Sequence, residues 1–390
     1  MHKVFHFSNK PPFPLKDGGC IAISSVLKSL LSSSQLDVFH FTLSTHKHAF
    51  NAEAYPRTWR ERMKMDSAFI DTKTNIWGAI LYLLKNKSYN VARFYDKEVA
   101  KSIQKHLESE RFNTAILESI YLLPYLDLFK DKGIKVIVRA HNIEHEVWSS
   151  MASTSKIFLK RWYFNRLAKQ LKKYEISELS KVDGIISITE EDAKFFQQFE
   201  PNVHTTSIPT AVKTNFPVTN YGLSDFYFLG AMDWKPNIDG IEWFLGEVIP
   251  EGLKGTQFYL GGKGLKKSDY NFPSVVNVGE VENAIDFISQ HGICIIPMHT
   301  GSGLKIKLLE NMAMGKPIIT TSEGVRGVDV THDKEVLIAD NPEEFRELMY
   351  RLHLDKNLRR KLGTNSKAFI KNNYSEEKLT RRLIAFIKDI

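Results

Sequence analysis

The sequence predicts an α/β protein of two domains, each built on a parallel sheet. The chain has 390 residues, which is more than one ordinary hydrophobic core accommodates. Short apolar runs typical of buried strands alternate with amphipathic, helix-like stretches along the whole chain. Residues 200–215 contain two prolines and no periodicity, as expected of a join between domains.

The strand-like runs form an N-terminal and a C-terminal set. The first set comprises residues 3–8, 38–43, 115–118, 136–140, 184–189 and 205–208. The second comprises residues 226–230, 257–261, 275–278, 293–297, 317–321 and 336–339. Helical patterns between most runs predict parallel pairing in both sets. We therefore expect domains at 1–208 and 209–372, and an amphipathic helix within 373–390 that packs back toward the N-terminal domain.

Residues 294–321 contain the strongest functional signal. An apolar strand leads through a glycine loop into a helix whose apolar spacing starts at Leu304, and a second strand follows. The first helical turn is predicted to carry Lys305 and Lys307, although helix N-termini favour acidic side chains. A bound anion explains two lysines there, because a glycine loop that opens a helix offers backbone donors to phosphate. The alternative is a surface turn whose lysines extend into water.

The same stretch supplies the other predicted contacts to a diphosphate and a ribose. Glu310 lies one helical turn after Lys307, where a carboxylate could accept from a sugar hydroxyl. Two other phosphate motifs do not fit: Ile306 occupies the position of the third glycine of a dinucleotide fingerprint, and residues 261–264 lack the spacing of a P-loop.

The amino-acid composition limits the cellular compartment and the binding partners expected for this protein. Apolar residues make up 43% of the chain, the net charge is +8, and there are two cysteines. The apolar runs are too short to span a bilayer, and the N-terminus lacks a signal-peptide core. We expect a cytoplasmic protein without a disulfide framework. The positive charge suits an anionic substrate or a membrane surface; nucleic acid is not expected, because no zinc-finger, RRM or basic-tail pattern is present.

Residues 156–173 form a basic and aromatic segment, KIFLKRWYFNRLAKQLKK. It has seven basic residues, no acidic residue and four aromatic residues. A basic amphipathic helix of this kind can lie on an anionic membrane. An ordinary long helix with a solvated basic face is the alternative.

Several motifs in this order resemble the retaining glycosyltransferases of family 4, which have the GT-B fold. They are the Pro14–Gly19 loop, RAHNIE at 139–144, the strand at 183–189, PTAV at 209–212, FLGAMDWKPN at 228–237, GGKG at 261–264, VGEV at 278–281 and GSGLKIKLLENMAMGKPIITT at 301–321. The resemblance implies two Rossmann-like domains facing across a cleft, a nucleotide-sugar donor, and a glycan or lipid-linked glycan acceptor.

The resemblance also implies roles for individual residues. Glu310 matches the second glutamate of the family's Glu-x7-Glu motif, which holds the ribose, whereas Ser302 or Gly301 stands where the first glutamate would be. Donor-sugar contacts are then expected from backbone N–H groups of the loop. The residues expected to bind the donor are Gly18, Gly19, Gly230, Val281, Gly301, Ser302, Gly303, Leu304 and Glu310.

Three residues are expected to take part in catalysis. Ala231 and Pro236 occupy the positions of the family's diphosphate-binding Arg and Lys, so Lys305 and Lys307 are the expected replacements. His141 matches the active-site histidine that faces the sugar; the alternative is a cap on the following helix. For Gly18 and Gly19 the alternative is a plain tight turn.

A retaining front-face reaction is implied, in which an oxygen of the leaving phosphate accepts the acceptor's proton. The sequence contains no Asp-x-Asp motif, so we expect no metal requirement and no cofactor. Surface polysaccharide or glycoconjugate biosynthesis would suit such an enzyme.

Three alternatives remain. The first is a nucleotide-sugar epimerase on the same fold, and the second is a non-catalytic nucleotide-sugar-binding subunit. The third is a zinc hydrolase, because residues 141–145 fit the H-x-x-E-H pattern. That pattern needs both histidines on one helix, whereas His141 is expected to end a strand.

Overall fold

The computed structural model describes the chain except residues 74, 76–77, 79–81, 83–86, 154, 156, 251, 254 and 302. Ser302 and Lys156 therefore lie outside the described residues, as does most of the stretch 76–84, which is typical of the longest apolar runs in the sequence. The chain divides into two compact units, Met1–Thr210 with Leu379–Ile390, and Ala211–Lys378. The sequence placed this division at 208/209 and the start of the terminal segment at 373.

The first unit is built on a parallel sheet in the order β3-β2-β1-β4-β5-β6-β7. Its strands are β1 (His2–Ser8), β2 (Leu36–Ser44), β3 (Lys64–Phe69), β4 (Thr114–Glu118), β5 (Lys135–Ala140), β6 (Gly184–Ser187) and β7 (His204–Ser207). Its helices are α1 (Gly18–Ser32), α2 (Arg57–Arg60), α3 (Tyr89–Ala92), α4 (Lys97–Ser109), α5 (Leu126–Lys130), α6 (Glu144–Ser153), α7 (Phe158–Leu179) and α8 (Glu190–Phe199), with short 3-10 turns at Ala52–Ala54 and Ile120–Tyr125.

The second unit is built on a parallel sheet in the order β10-β9-β8-β11-β12-β13. Its strands are β8 (Phe226–Leu229), β9 (Phe258–Gly261), β10 (Val275–Gly279), β11 (Ile293–Ile296), β12 (Ile318–Thr320) and β13 (Leu337–Ile338). Its helices are α9 (Lys235–Trp243), followed by a π turn at Phe244–Val248, α10 (Ala284–Gln290), α11 (Ile306–Ala313), α12 (Pro342–Leu354) and α13 (Lys356–Asn373). The last helix, α14 (Glu376–Asp389), begins in this unit and ends in the first.

Each unit buries its own core, because parallel strands are covered by helices on both faces. Strand β1 places Val4, Phe5 and Phe7 at zero exposure, and β11 does the same for Ile293, Ile295 and Ile296. Within the described part of the chain, no helix is long and apolar enough to cross a membrane.

Candidate functional site

The N-terminus of α11 differs in one respect from the sequence prediction. The helix begins at Ile306, so Lys307 lies in the first turn but Lys305 is the N-cap residue, with φ −83° and ψ 93°. No side chain caps this end of the helix. The loop before it needs its glycines, because Gly301 and Gly303 have φ values of +120° and +75°, which other residues rarely adopt.

The Lys305 side chain is folded back into this loop. Its Nζ donates to the carbonyl oxygens of Gly301 (2.8 Å) and Gly303 (3.0 Å) and lies 3.0 Å from Glu323 Oε1. Only 4% of the side chain is exposed, and burial lowers its pKa although Glu323 opposes that shift. An ammonium group has three donors, so Lys305 already uses all of them. Lys305 therefore mainly fixes the conformation of the loop that precedes α11.

The Lys307 side chain has no described carboxylate beside it to balance its charge. Its Nζ donates to Asn237 Oδ1 and lies 4.6 Å from the centroid of the Phe228 ring. No carboxylate among the described residues pairs with it. Burial lowers the pKa of Lys307 to about 7, and the nearby Lys305 acts in the same direction. A mostly buried amine that lacks a counter-ion, at an uncapped helix N-terminus, is suited to receive an anion.

The loop after β8 brings Gly230 to the residues that hold Lys307. A Cβ at Gly230 would lie 2.7 Å from the Phe228 ring and 3.0 Å from Asn237 Nδ2. Asn237 is 4% exposed and is itself fixed by donating from Nδ2 to the Ala231 carbonyl at 2.7 Å. The structure thus brings Gly230 and Lys307 together through Phe228 and Asn237, two residues that the sequence analysis did not assign to the site.

The other predicted donor-site residues of the second unit include Glu310, Leu304 and Val281. Glu310 is exposed on α11, and its carboxylate makes no hydrogen bond or ion pair with any described residue; desolvation by neighbouring protein atoms raises the pKa of this carboxyl. Leu304 packs partly into the apolar core. Val281 follows β10 and packs on Gly261, whose added Cβ would meet Val281 Cγ2 at 2.8 Å.

His141 directly follows β5 in the first unit and is bound to a buried carboxylate. Its Nε2 lies 2.7 Å from Glu118 Oε2, which also accepts from Arg139 Nη1 at 2.9 Å. The other Glu118 oxygen lies 3.1 Å from His6 Nε2. Burial alone would raise the pKa of Glu118, but Arg139, His141 and His6 hold it well below its usual range. Burial lowers the pKa of His141, while its hydrogen bond to Glu118 acts in the opposite direction.

The N-terminus of α6 is capped by a carboxylate from α7 rather than by His141. Glu175 accepts from the backbone N–H groups of Glu144 (3.2 Å) and His145 (3.4 Å), and its Oε2 lies 2.6 Å from His145 Nδ1. The two histidines of the H-x-x-E-H pattern therefore bind different carboxylates, and the first precedes the helix, as the sequence indicated.

Gly18 and Gly19 open α1, as predicted, but an acidic side chain already occupies that terminus. Asp17 Oδ1 accepts from the backbone N–H of Cys20 at 2.9 Å and from Lys10 Nζ at 2.7 Å. Asp17, Cys20 and His48 are also the described His, Cys, Asp or Glu residues whose ligand atoms lie close enough to hold one metal ion. The Lys10 ammonium already neutralises Asp17, which does not favour a cation there.

Sequence comparison places a glycosyltransferase signature in the second unit. Residues 224–355 match the family model described as Glycosyl transferases group 1. A Klebsiella pneumoniae protein, named "Uncharacterized 44.6 kDa protein in cps region", is 22% identical over 97% of this chain and 98% of its own length.

Solved structures that resemble the whole chain include the following two. Sucrose-phosphate synthase from Thermosynechococcus elongatus has a TM-score of 0.71 at 13% identity and covers 100% of this chain and 99% of its own. Anabaena HepE in complex with UDP has a TM-score of 0.68 at 9% identity and covers 100% of both chains. The chain thus has the GT-B fold, and its predicted resemblance to GT-B glycosyltransferases is confirmed. Its assignment to family 4 stays a prediction.

Proposed function

We propose that this protein is a glycosyltransferase that moves a sugar from a nucleotide-diphosphate donor to a glycan or lipid-linked glycan acceptor. The observation that carries the proposal is the buried ammonium group of Lys307, which has no anionic partner among the described residues and lies at the uncapped N-terminus of α11. The glycosyltransferase family match over residues 224–355 supports it, as does the UDP bound to the structurally similar HepE.

The proposed donor site assigns each group a chemical task. Negative charge grows on the leaving diphosphate as the sugar–oxygen bond breaks, and fixed positive charges and dipoles lower the barrier when they point at those oxygens. Lys307 and the first N–H groups of α11 would supply that stabilisation. Glu310 would accept from ribose hydroxyls. Lys305 would act mainly by keeping the Gly301–Gly303 loop in shape, and His141 is proposed to act beside the sugar.

The finer parts of the proposal come from the sequence resemblance. They are retention of configuration, independence from metal ions, family 4 membership and a role in surface polysaccharide or glycoconjugate assembly. The name of the Klebsiella relative, which refers to a cps region, supports only the last of these. The anomeric configuration of the product, read by NMR during transfer, tests retention.

Thermal shifts with UDP, GDP, ADP, CMP and dTDP, each with and without Mg²⁺, test the donor site. A ligand at 100 times its dissociation constant adds roughly 2.7 kcal/mol of stability. We expect one diphosphate to stabilise the wild type without metal and to lose at least tenfold in affinity in Lys307→Met. The control is Lys361→Met, which removes an exposed lysine of α13 in the same unit and should bind normally. Failure of every nucleotide to stabilise the wild type, or normal binding by Lys307→Met, contradicts the proposal.

Turnover assays separate the two remaining alternatives. A transferase releases the nucleotide diphosphate when donor and acceptor are both present. An epimerase converts the donor sugar with no acceptor, which NMR of the donor alone detects. A non-catalytic subunit binds the nucleotide in the thermal-shift assay but shows turnover only after a second protein is added.

A further inference from the structure

The N-terminal end of α7 exposes a cluster of large apolar side chains, which we call the apolar tip. It consists of Ile157, Phe158, Leu159 and Trp162, whose exposed fractions are 63%, 74%, 73% and 54%. Four such side chains lie within six consecutive residues, whereas single exposed apolar residues are common on any protein surface. Patches of this kind mark interaction sites.

The apolar tip is held in position by the rest of the helix. The buried side chains of α7 start at Leu167 and continue through Leu171 to Leu179. Before them, the Phe164 ring packs edge-on against Trp148 of α6, with ring centroids 5.5 Å apart. The helix is therefore anchored along its C-terminal two thirds, and its first turns carry the apolar tip away from the core of the unit.

An uncompensated positive surface continues from the apolar tip along α7. We call it the basic face; it consists of Lys160, Arg161, Arg166, Lys169, Lys172 and Lys173, all exposed. None of the six forms an ion pair with a described residue, and the helix contains no acidic residue before Glu175. Glu175 is buried and bound to His145, so it does not neutralise this surface.

We propose that the apolar tip inserts into the interfacial region of an anionic membrane while the basic face lies on its lipid headgroups. Aromatic and aliphatic side chains bordered by lysine and arginine fit the boundary between acyl chains and anionic headgroups. A second copy of the chain would bring two like-charged basic faces together, which disfavours self-association through this surface. The inference goes beyond the donor site and does not depend on it.

Vesicle flotation of the full chain tests the inference, using phosphatidylcholine alone or with 30% phosphatidylglycerol. We expect at least tenfold stronger partitioning onto the anionic vesicles, which weakens as salt rises. Phe158→Ser with Trp162→Ser should reduce partitioning at least tenfold. Lys169→Glu with Lys173→Glu should reduce it similarly and flatten the salt dependence.

A matched control removes equally exposed apolar side chains elsewhere. Tyr350 and Leu354 on α12 are 68% and 62% exposed, and replacing both with serine should leave partitioning unchanged. Equal binding to neutral and anionic vesicles, or undiminished binding by Phe158→Ser with Trp162→Ser, overturns the inference. So does a wild-type dimer, seen by light scattering, that those two substitutions convert to a monomer. Nucleotide-induced thermal shifts in the same variants report on the donor site separately.

Discussion

Lys305 and Lys307 are two residues apart and have opposite electrostatic surroundings. Lys305 has a carboxylate 3.0 Å away and two carbonyl acceptors, so its charge is stabilised without a ligand. Lys307 has an amide oxygen and an aromatic face, and neither carries a full negative charge. A protein selected for stability alone gains little from a lysine at position 307. The diphosphate of the proposed donor site would supply the negative charge that Lys307 lacks.

Lys307→Met should stabilise the unliganded protein at neutral and acidic pH. Burial depresses the pKa of Lys307 from 10.5 to about 7, which corresponds to a penalty of roughly 4–5 kcal/mol for the charged form. The lost hydrogen bond and cation–π contact offset about 1–3 kcal/mol of that gain.

The pH dependence of this stabilisation follows from the direction of the shift. Between pH 7 and 10.5 the unfolded chain binds the proton that folded Lys307 releases, so wild-type stability rises with pH in that window. The advantage of Lys307→Met should therefore be largest below pH 7 and vanish above 10.5. Denaturant unfolding from pH 6 to 10 measures it. If Lys307→Met is less stable than the wild type at pH 6, the Lys307 charge must be stabilised by other groups in the unliganded protein.

Diphosphate binding should take up a proton above pH 7. A bound diphosphate favours charged Lys307 and raises its pKa, so affinity should fall as pH rises beyond the free-state value of about 7. Calorimetric titration at pH 8 in buffers of different ionisation enthalpy gives the number of protons taken up. We expect a value approaching one for the wild type and near zero for Lys307→Met. Equal uptake by both proteins would assign the proton to another group.

Glu118 should matter more for folding than His141, although they are hydrogen-bonded partners. Glu118→Gln leaves the fully buried Arg139 charge without a carboxylate, a change that typically costs 3–5 kcal/mol. His141→Ala removes a side chain that is 18% exposed and should cost far less stability while reducing transfer. Denaturant unfolding compares both with the exposed control Glu98→Gln. Similar stabilities for Glu118→Gln and wild type would mean that groups other than the Glu118 carboxylate balance the charge of Arg139.

The conformation of the loop before α11 depends on both its glycine backbone angles and the hydrogen bonds of Lys305. The left-handed glycines set the path of the backbone, and the Lys305 ammonium bridges the carbonyls of Gly301 and Gly303. In the proposed donor site, the first N–H groups of α11 would point at the diphosphate only if the loop keeps this shape. Loop shape and anion binding are therefore expected to be lost together.

Gly303→Ala should weaken both stability and nucleotide binding. Its φ of +75° costs a residue with a Cβ about 1–2 kcal/mol. Gly246→Ala is the matched control, because nothing lies within 4 Å of its added Cβ and its φ is not positive; it should be neutral or slightly stabilising. Thermal unfolding with and without the best nucleotide separates the two effects. Unchanged nucleotide affinity in Gly303→Ala would show that the conformation of this loop does not matter for nucleotide binding.

Elements with strong local signals were predictable from sequence, and contacts between distant residues were not. Strand positions followed from apolar runs, but β3 was missed, because its Lys64, Asp66 and Ser67 interrupt any apolar pattern at the sheet edge. The helix of the candidate site was predicted to start too early. Lys305 adopts the extended backbone conformation usual for an N-cap residue. Its side chain reaches Glu323, eighteen residues later, and local periodicity carries no information about such a pair.

At the scale of the whole molecule, the chain leaves the first unit at Thr210 and returns to it at Leu379. The part of α14 from Leu379 onward is packed into the core of the first unit. Leu379, Leu383 and Ile387 are each 1% exposed. Thr380 Oγ1 donates to Ser29 Oγ of α1 at 2.9 Å. A Cβ at Gly184 of β6 would collide with the side chains of Ile390 and Phe386.

Replacing Leu383 and Ile387 with serine should destabilise the first unit by at least about 4 kcal/mol, because each substitution removes a buried apolar side chain and introduces a hydroxyl. Hydrogen exchange should accelerate in α1 and β6, the elements that α14 covers. Ala385→Ser, at an exposed position of the same helix, is the control and should leave exchange unchanged. If α1 and β6 keep their protection in the double variant, the terminal helix is dispensable for the first unit. Accelerated exchange would instead show that the stability of α1 and β6 depends on residues 379–390 of the same unit.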